Sequence, residues 1–358
     1  MKPSSLETTD ATGLGRRKFL KGAALAGAAT IGAATAAVAR VEGVEKQEAV
    51  KGAPIPQKEL GNTGVKVSAL GLGGFHLGVP RDAKETDQIV GEALDAGVNF
   101  FDNAWEYHKG ESEMRLGAAL KGKRDEVILM TKVCTHGRGR NVAMGMLEDS
   151  LRRLQTDHLD VWQIHEVVYF NDPDLIFAPG GAAEALAEAK KQGKVRWIGF
   201  TGHKDPAIHL KMLESGFPFD TVQMPLNCCD GTFRSFEKQV LPVALQRGIA
   251  VLGMKSLGGS GELVTSGTIT PAEGLRYAMS LPVATTISGI DSLDVLHQNL
   301  EIARGFQPMK EDEMEALREK VRSVAADGRY EKFKTTKFYD GDVGREQHGY
   351  PSAKALPL

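Results

Sequence analysis

The chain has 358 residues, 42% hydrophobic and 25% charged, with a formal net charge of −2. That length can bury a large core as one big domain or two ordinary ones, and the mix excludes a disordered, collagen-like or multi-span membrane protein. The charge balance excludes a global basic field for nucleic acid, and 41 glycines suit a fold with many strand-to-helix turns.

Residues 1–39 differ from the rest. Gly15-Arg16-Arg17-Lys18-Phe19-Leu20-Lys21 precedes an uncharged, Ala- and Gly-rich run from Gly22 to Ala39, in which Leu25, Ile31 and Val38 are the large aliphatics. Paired arginines, a mildly apolar stretch and the small-residue site Ala37-Val38-Ala39 before Arg40 resemble a twin-arginine export signal. The resemblance implies recognition by the twin-arginine machinery, cleavage near Ala39 and an exported, periplasmic or extracytoplasmic protein. The alternative is an uncleaved anchor, against which the weak hydrophobicity argues, so the mature form is expected not to span the membrane. Residues 40–56 lack apolar periodicity and end in two prolines, as a linker does.

From about Lys58, β-branched runs alternate with amphipathic stretches. The predicted strands are Val67–Gly71, Asn99–Asn103, Val127–Lys132, Leu159–His165, Val195–Thr201, Thr221–Met224, Ile249–Met254 and Ala284–Ser288. Helices are expected at about 84–96, 111–121, 141–155, 182–192, 205–215, 235–247, 271–280 and 292–305, with a further one at 311–326. Eight strands, each followed by a helix, predict a parallel (β/α)8 TIM barrel over residues 57–328. Residues 329–358 are polar and contain Gly and Pro, so an extended surface tail is expected. An open dinucleotide-binding sheet fails on its fingerprint: Gly71-Leu72-Gly73-Gly74-Phe75-His76 follows a strand, but a loop through Pro80 intervenes before the helix. Cys134, Cys228 and Cys229 have neither metal-ligand nor disulfide-framework spacing and read as free thiols, while bridging the neighbours Cys228 and Cys229 would strain the peptide. No metal site is expected.

In such a barrel, chemistry sits where strands end. The second predicted strand ends in Asp102, with Tyr107 in the loop after it; the third ends in Lys132 and the fourth in His165. A phenol with a pKa near ~10 needs a neighbouring cation to be a useful acid–base group, and Lys132 can supply it. Asp102 can balance Lys132, and His165 can donate to a substrate oxygen. The set could protonate a carbonyl oxygen while hydride reaches the carbon. Singly, each residue also suits a solvated rim.

Several motifs in order resemble the aldo/keto reductase family: Leu60-Gly61-Asn62-Thr63-Gly64 with Ser68-Ala69-Leu70-Gly71-Leu72-Gly73, Phe101-Asp102-Asn103-Ala104-Trp105-Glu106-Tyr107, Leu151-Arg152-Arg153-Leu154 with Leu159-Asp160, and Gly193-Lys194-Val195-Arg196. The resemblance covers about 57–307. It implies a β/α barrel that binds an extended nicotinamide nucleotide, with Tyr107 as acid–base group, Lys132 tuning it, Asp102 beside Lys132 and His165 orienting substrate. It places the nucleotide against Gly73, Gly74, Phe75, Thr201, Gly202, Gln223, Lys255, Ser256, Leu257, Gly258, Gly289, Asp291, Gln298 and Asn299. Thr201-Gly202 stands where relatives have Ser-Asn, and Leu226 where they commonly have an aromatic. NADPH is the family's usual nucleotide; Asp291 at the adenosine end, in place of Lys or Arg, leaves NADH open.

The expected function is reversible hydride transfer between NAD(P)(H) and a small carbonyl, alcohol or sugar-like substrate. The alternatives are a redox-neutral enzyme that keeps its nucleotide bound, and a non-catalytic cofactor-sensing or partner-binding module. Substrate choice would come from loops 75–82, 104–110, 135–140, 166–181 and 228–234 with the tail.

Overall fold

The computed structural model describes residues 52–352 apart from Arg81, 135–137 and His348, together with Ala355. The expected export signal, residues 1–39, and the linker as far as residue 51 lie outside the described residues.

Eight parallel strands close into a barrel: β3 (Leu70–Gly73), β4 (Phe100–Asp102), β5 (Ile128–Val133), β6 (Leu159–Ile164), β7 (Val195–Thr201), β8 (Thr221–Pro225), β9 (Ala250–Met254) and β10 (Thr285–Gly289), with β10 pairing back onto β3. They fall where the periodicity predicts, except that Val67–Gly71 is two strands meeting at Ala69. The first half belongs to an antiparallel hairpin of β1 (Gln57–Glu59) and β2 (Lys66–Ser68). This hairpin is too short and polar to show as a strand pattern.

The helices are α1 (Ala83–Asp95), α2 (Glu111–Ala119), α3 (Arg140–Leu154), α4 (Asp172–Phe177), α5 (Ala182–Lys191), α6 (Pro206–Glu214), α7 (Phe236–Gln239), α8 (Leu241–Gln246), α9 (Glu262–Thr265), α10 (Pro271–Ser280), α11 (Leu293–Ala303) and α12 (Glu311–Ala325). Start signals are local. Asp82 and Asp205 accept from the first-turn N–H groups of α1 and α6, and Thr270 and Glu273 form a reciprocal cap on α10. Among the described residues no helix is long and apolar enough to cross a membrane.

Strand parity divides the core in two. Phe100, Ile128, Met130, Val161, Ala250 and Leu252 cluster inside the barrel, joined by Leu60 and Val67 of the hairpin region, which plug its N-terminal end. Phe101, Leu129, Trp162 and Ile164 point outward and pack with helix residues such as Leu116, Leu147 and Leu186. Because alternate residues share a face, the inward set continues upward from Phe100 to Asp102, from Met130 to Lys132 and from Val161 to Gln163 and His165. The pleat itself therefore gathers these polar groups at one end.

The tail differs from the extended surface segment that its composition predicts. It forms α13 (Lys332–Thr335) and α14 (Asp342–Gln347), and Glu331, Phe333, Lys334, Asp340 and Arg345 are buried. The reason is charge pairing across the chain. Lys334 Nζ donates to Asp230 Oδ1 (2.6 Å), Glu331 Oε2 (2.9 Å) and the Phe233 carbonyl (2.8 Å), while Asn227 Nδ2 donates to Glu331 Oε1 (3.0 Å). A composition that looks solvated is buried here because its charges find partners in the loop after β8.

Candidate active site

Asp102 and Lys132 end adjacent strands and form a buried ion pair. Lys132 Nζ also donates to the Asn103 carbonyl at 2.7 Å and reaches the Tyr107 hydroxyl at 3.4 Å. Burial pushes the Asp102 carboxyl above its ordinary value, against the pull of Lys132's charge and hydrogen bond. The Tyr107 and His165 rings meet edge to face, 5.6 Å between centroids. The four residues singled out from the sequence thus share one mouth of the barrel.

Tyr107 departs from one expectation. Despite Lys132, its phenol is driven well above its ordinary value, first by burial and then by the negative charges of Asp102, Glu106 and Glu166. The hydroxyl therefore holds its proton, as a general acid must before it gives one up.

The loop carrying Tyr107 is fixed from several sides. The Trp105 N–H donates to the Lys132 carbonyl (3.1 Å) and the Tyr107 N–H to the Ala104 carbonyl (3.1 Å). Arg153 on α3 donates to the Trp105 carbonyl (2.9 Å) and to Glu113 on α2 (3.1 Å), whose other oxygen accepts from Thr131 on β5 (2.6 Å). The motif residue Arg153 thus ties the loop to its strand, and Asp160, paired with Arg124 (2.9 Å) and Arg196 (2.7 Å), fixes strand starts. Immediately after Tyr107, His108 and Lys109 have φ of 51° and 60°. Glu166, Arg234 and Lys255, in loops after β6, β8 and β9, also have positive φ. Each such non-glycine residue costs about 1–3 kcal/mol, strain held at the mouth by the surrounding packing.

Sequence reasoning passed over two acids here. Glu106 contacts His165 Nδ1, and Glu166, beside His165, accepts from the Gly341 N–H of the tail (2.9 Å). Burial raises Glu166, whereas His165's charge and hydrogen bond hold Glu106 below the usual carboxylate value in spite of its burial. The available signal was a carboxylate directly preceding the candidate tyrosine.

The residues expected to hold a nucleotide fall around the same mouth. Gln223 Oε1 and Asn103 Nδ2 are buried without a hydrogen-bond partner among the described residues, an acceptor and a donor free for a carboxamide. Lys255 is packed between two tail aromatics, 5.5 Å from the ring centres of both Phe333 and Tyr339, and burial lowers its ammonium to about 8. Ser256, Leu257 and Gly258 continue that loop, with Ser256 and Gly258 buried. Phe75 is exposed and stands edge-on to Tyr107 at 5.3 Å. Gly73 and Gly289 are paired across β3 and β10, and the His76 ring lies against Gly289. Asp291 and Gln298 are exposed, whereas Asn299 is buried and donates to Ser288 Oγ (3.1 Å), so that amide serves the barrel.

One departure from the family pattern has a steric cause. A Cβ at Gly202 would lie 2.3 Å from the Val167 carbonyl oxygen, so no amide side chain can stand beside buried Thr201. Leu226 is fully buried in the outer core. Gly74 is likewise required by packing, its missing Cβ otherwise 2.2 Å from the Asp102 carbonyl oxygen. Cys134, Cys228 and Cys229 are all buried.

The closed parallel barrel, with Asp102, Tyr107, Lys132 and His165 gathered at its C-terminal mouth, defines a β/α barrel whose polar site lies at the strand ends. The family model described as "Aldo/keto reductase family" matches residues 69–274. The chain belongs to the aldo/keto reductase family. It is 32% identical over 212 residues to aldo-keto reductase YhdN of Bacillus subtilis, covering 55% of this chain and 61% of that protein. It is 33% identical over 214 residues to L-galactose dehydrogenase of Arabidopsis thaliana, covering 57% and 66%. The chain thus spans no more than 66% of the length of these curated relatives. Among solved structures, the holo form of aldo-keto reductase AKR11C1 from Bacillus halodurans shares the fold with a TM-score of 0.63, at 24% identity over 74% of this chain and 96% of that one.

Proposed function

We propose that the protein interconverts a carbonyl and an alcohol on a small, sugar-like substrate, using NADPH or NADH, with Tyr107 as general acid and base. The observation that carries this reading is the buried Lys132 within reach of the Tyr107 hydroxyl, at the mouth shared with Asp102 and His165. A nicotinamide nucleotide, when bound, supplies hydride to the carbonyl carbon or removes it from the alcohol. Gln223 and Asn103 offer the free polar atoms for its carboxamide, and Lys255 a cation for its phosphates. Tyr107 gives its proton to the carbonyl oxygen, Lys132 stabilises the phenolate left behind, and Asp102 holds Lys132 in place. The sugar-like substrate is suggested by the likeness to L-galactose dehydrogenase. Export in a folded state is supported by the twin-arginine-like residues 15–39.

The test is nucleotide oxidation or reduction over a panel of aldehydes, ketones and sugars. Tyr107→Phe is expected to lower kcat by about 10²–10⁴-fold with nucleotide affinity retained. Unchanged turnover sinks the assignment. Parallel titrations with NADH and NADPH separate the two nucleotides.

A second reading keeps the nucleotide bound through a redox-neutral reaction, and the tail across Lys255 favours it. Mass spectrometry of the small molecule released on denaturation decides between them. Stoichiometric NAD or NADP supports retention, and an empty protein supports exchange.

A further inference from the structure

The C-terminal segment lies across the barrel mouth as a strap, and it grips one loop along its length. Residues 255–261, between β9 and α9, have left-handed backbone at Lys255, Gly258 and Gly261 (φ 56°, 81° and 75°), so neither β9 nor α9 extends through them. Strap residues 330–339 hold this loop instead. Phe333 and Tyr339 flank Lys255, the Tyr339 hydroxyl hydrogen-bonds with Ser260 Oγ, and Lys332 Nζ donates to Glu262 Oε1 at 2.9 Å. A Cβ on Gly258 would lie 2.9 Å from the Tyr330 carbonyl oxygen, and one on Gly259 would run into the Tyr339 hydroxyl. The two glycines thus let loop and strap close on each other. The strap itself is fastened elsewhere, by Lys334 to Asp230, by Asp340 to Lys204 and by the Gly341 N–H to Glu166. The loop after β9 therefore leans on a segment that the other loops of the mouth hold in place.

Resting on the nucleotide-dependent reading above, which sets Lys255, Ser256, Leu257 and Gly258 against the nucleotide, we propose that the strap is a latch on this loop: nucleotide enters and leaves when the loop parts from Tyr339 and Lys332. The latch sets rates, not affinity. Its contacts join protein to protein and are closed in free and loaded protein alike, so weakening them raises the open fraction of both by the same factor. A residue that touched the nucleotide would instead speed release and weaken affinity together.

Two measurements on the full chain test this. Tyr339→Phe removes the hydrogen bond to Ser260 and keeps the ring beside Lys255, and Lys332→Met removes the ion pair with Glu262. The first measurement is hydrogen exchange without added nucleotide. Residues 256–266 should exchange about three- to tenfold faster in Tyr339→Phe, with the barrel strands unchanged. Unchanged exchange in that loop overturns the latch. The second is stopped-flow binding and release of NADPH and of NADH, followed by nicotinamide fluorescence. Association and dissociation rate constants should rise together, about three- to tenfold in Tyr339→Phe and about twofold more when Lys332→Met is added, with Kd kept within about twofold. Unchanged rates, or faster release with affinity lost in proportion, overturn the proposal. Failure of the nucleotide reading itself shows differently: neither nucleotide binds wild type or variant, although exchange in the loop still responds.

Discussion

Lys132 is the residue on which the site's chemistry and its stability meet. It is enclosed by Asp102, the Asn103 carbonyl and Tyr107, so its removal leaves a carboxylate buried without its cation. Lys132→Met is expected to cost about 3–5 kcal/mol in urea unfolding and to abolish turnover together, whereas Tyr107→Phe should cost activity alone. Lys255 gives a pH dependence with a definite sign. With its ammonium lowered by burial to about 8, it is a cation below that pH and neutral above it. Nucleotide affinity should therefore fall as pH rises through 8 and lose that dependence in Lys255→Met, as isothermal titration at pH 7 and 9 would reveal. Stability of the ligand-free protein should move the other way. Between about pH 8 and the ordinary lysine value the unfolded chain binds more protons, so folding becomes more favourable as pH rises.

At the level of elements, the strand and helix order was legible because barrel strands are short apolar runs ended by polar residues, and the helices carry their own caps. The four candidate residues were legible for the same reason, since Asp102, Lys132 and His165 stand at or just beyond strand ends. What the sequence could not reveal depends on separations that only folding closes. Glu106 matters through a residue 59 positions away. The β1–β2 hairpin lacks an apolar pattern, and Gly202 reads as a lost contact until the Val167 carbonyl beside it is seen. Arg153 belongs with these: the motif was visible, its purpose was not. It links α3 to the loop after β4 through the Trp105 carbonyl and Glu113. Arg153→Met should loosen residues 104–110, raising their amide hydrogen exchange, and lower kcat/KM by about 10–100-fold through misplacement of Tyr107. Loss of activity without a change in exchange would contradict that role.

Across the whole molecule, the C-terminal segment straps the barrel mouth. It reaches Glu166 after β6, Lys204 after β7, Asp230 after β8 and Lys255 after β9. Its anchor places two carboxylates, Asp230 and Glu331, on one ammonium, Lys334. Burial raises Glu331 to about 7, opposed by Lys334 and reinforced by Asp230. A carboxyl raised on folding stabilises most below its ordinary value, and that contribution is lost as pH rises through the folded value. Hydrogen exchange in residues 329–350, taken relative to the intrinsic amide rate, should therefore quicken between pH 5 and 7.5. It should be fast at both pH values in Lys334→Met, with the barrel strands staying protected. The strap also follows the barrel strands out of the ribosome. At ~5–20 residues per second, the roughly forty residues between Gly289 and Glu331 emerge over about 2–8 seconds after the final barrel strand. For that interval the strand ends exist without their cover.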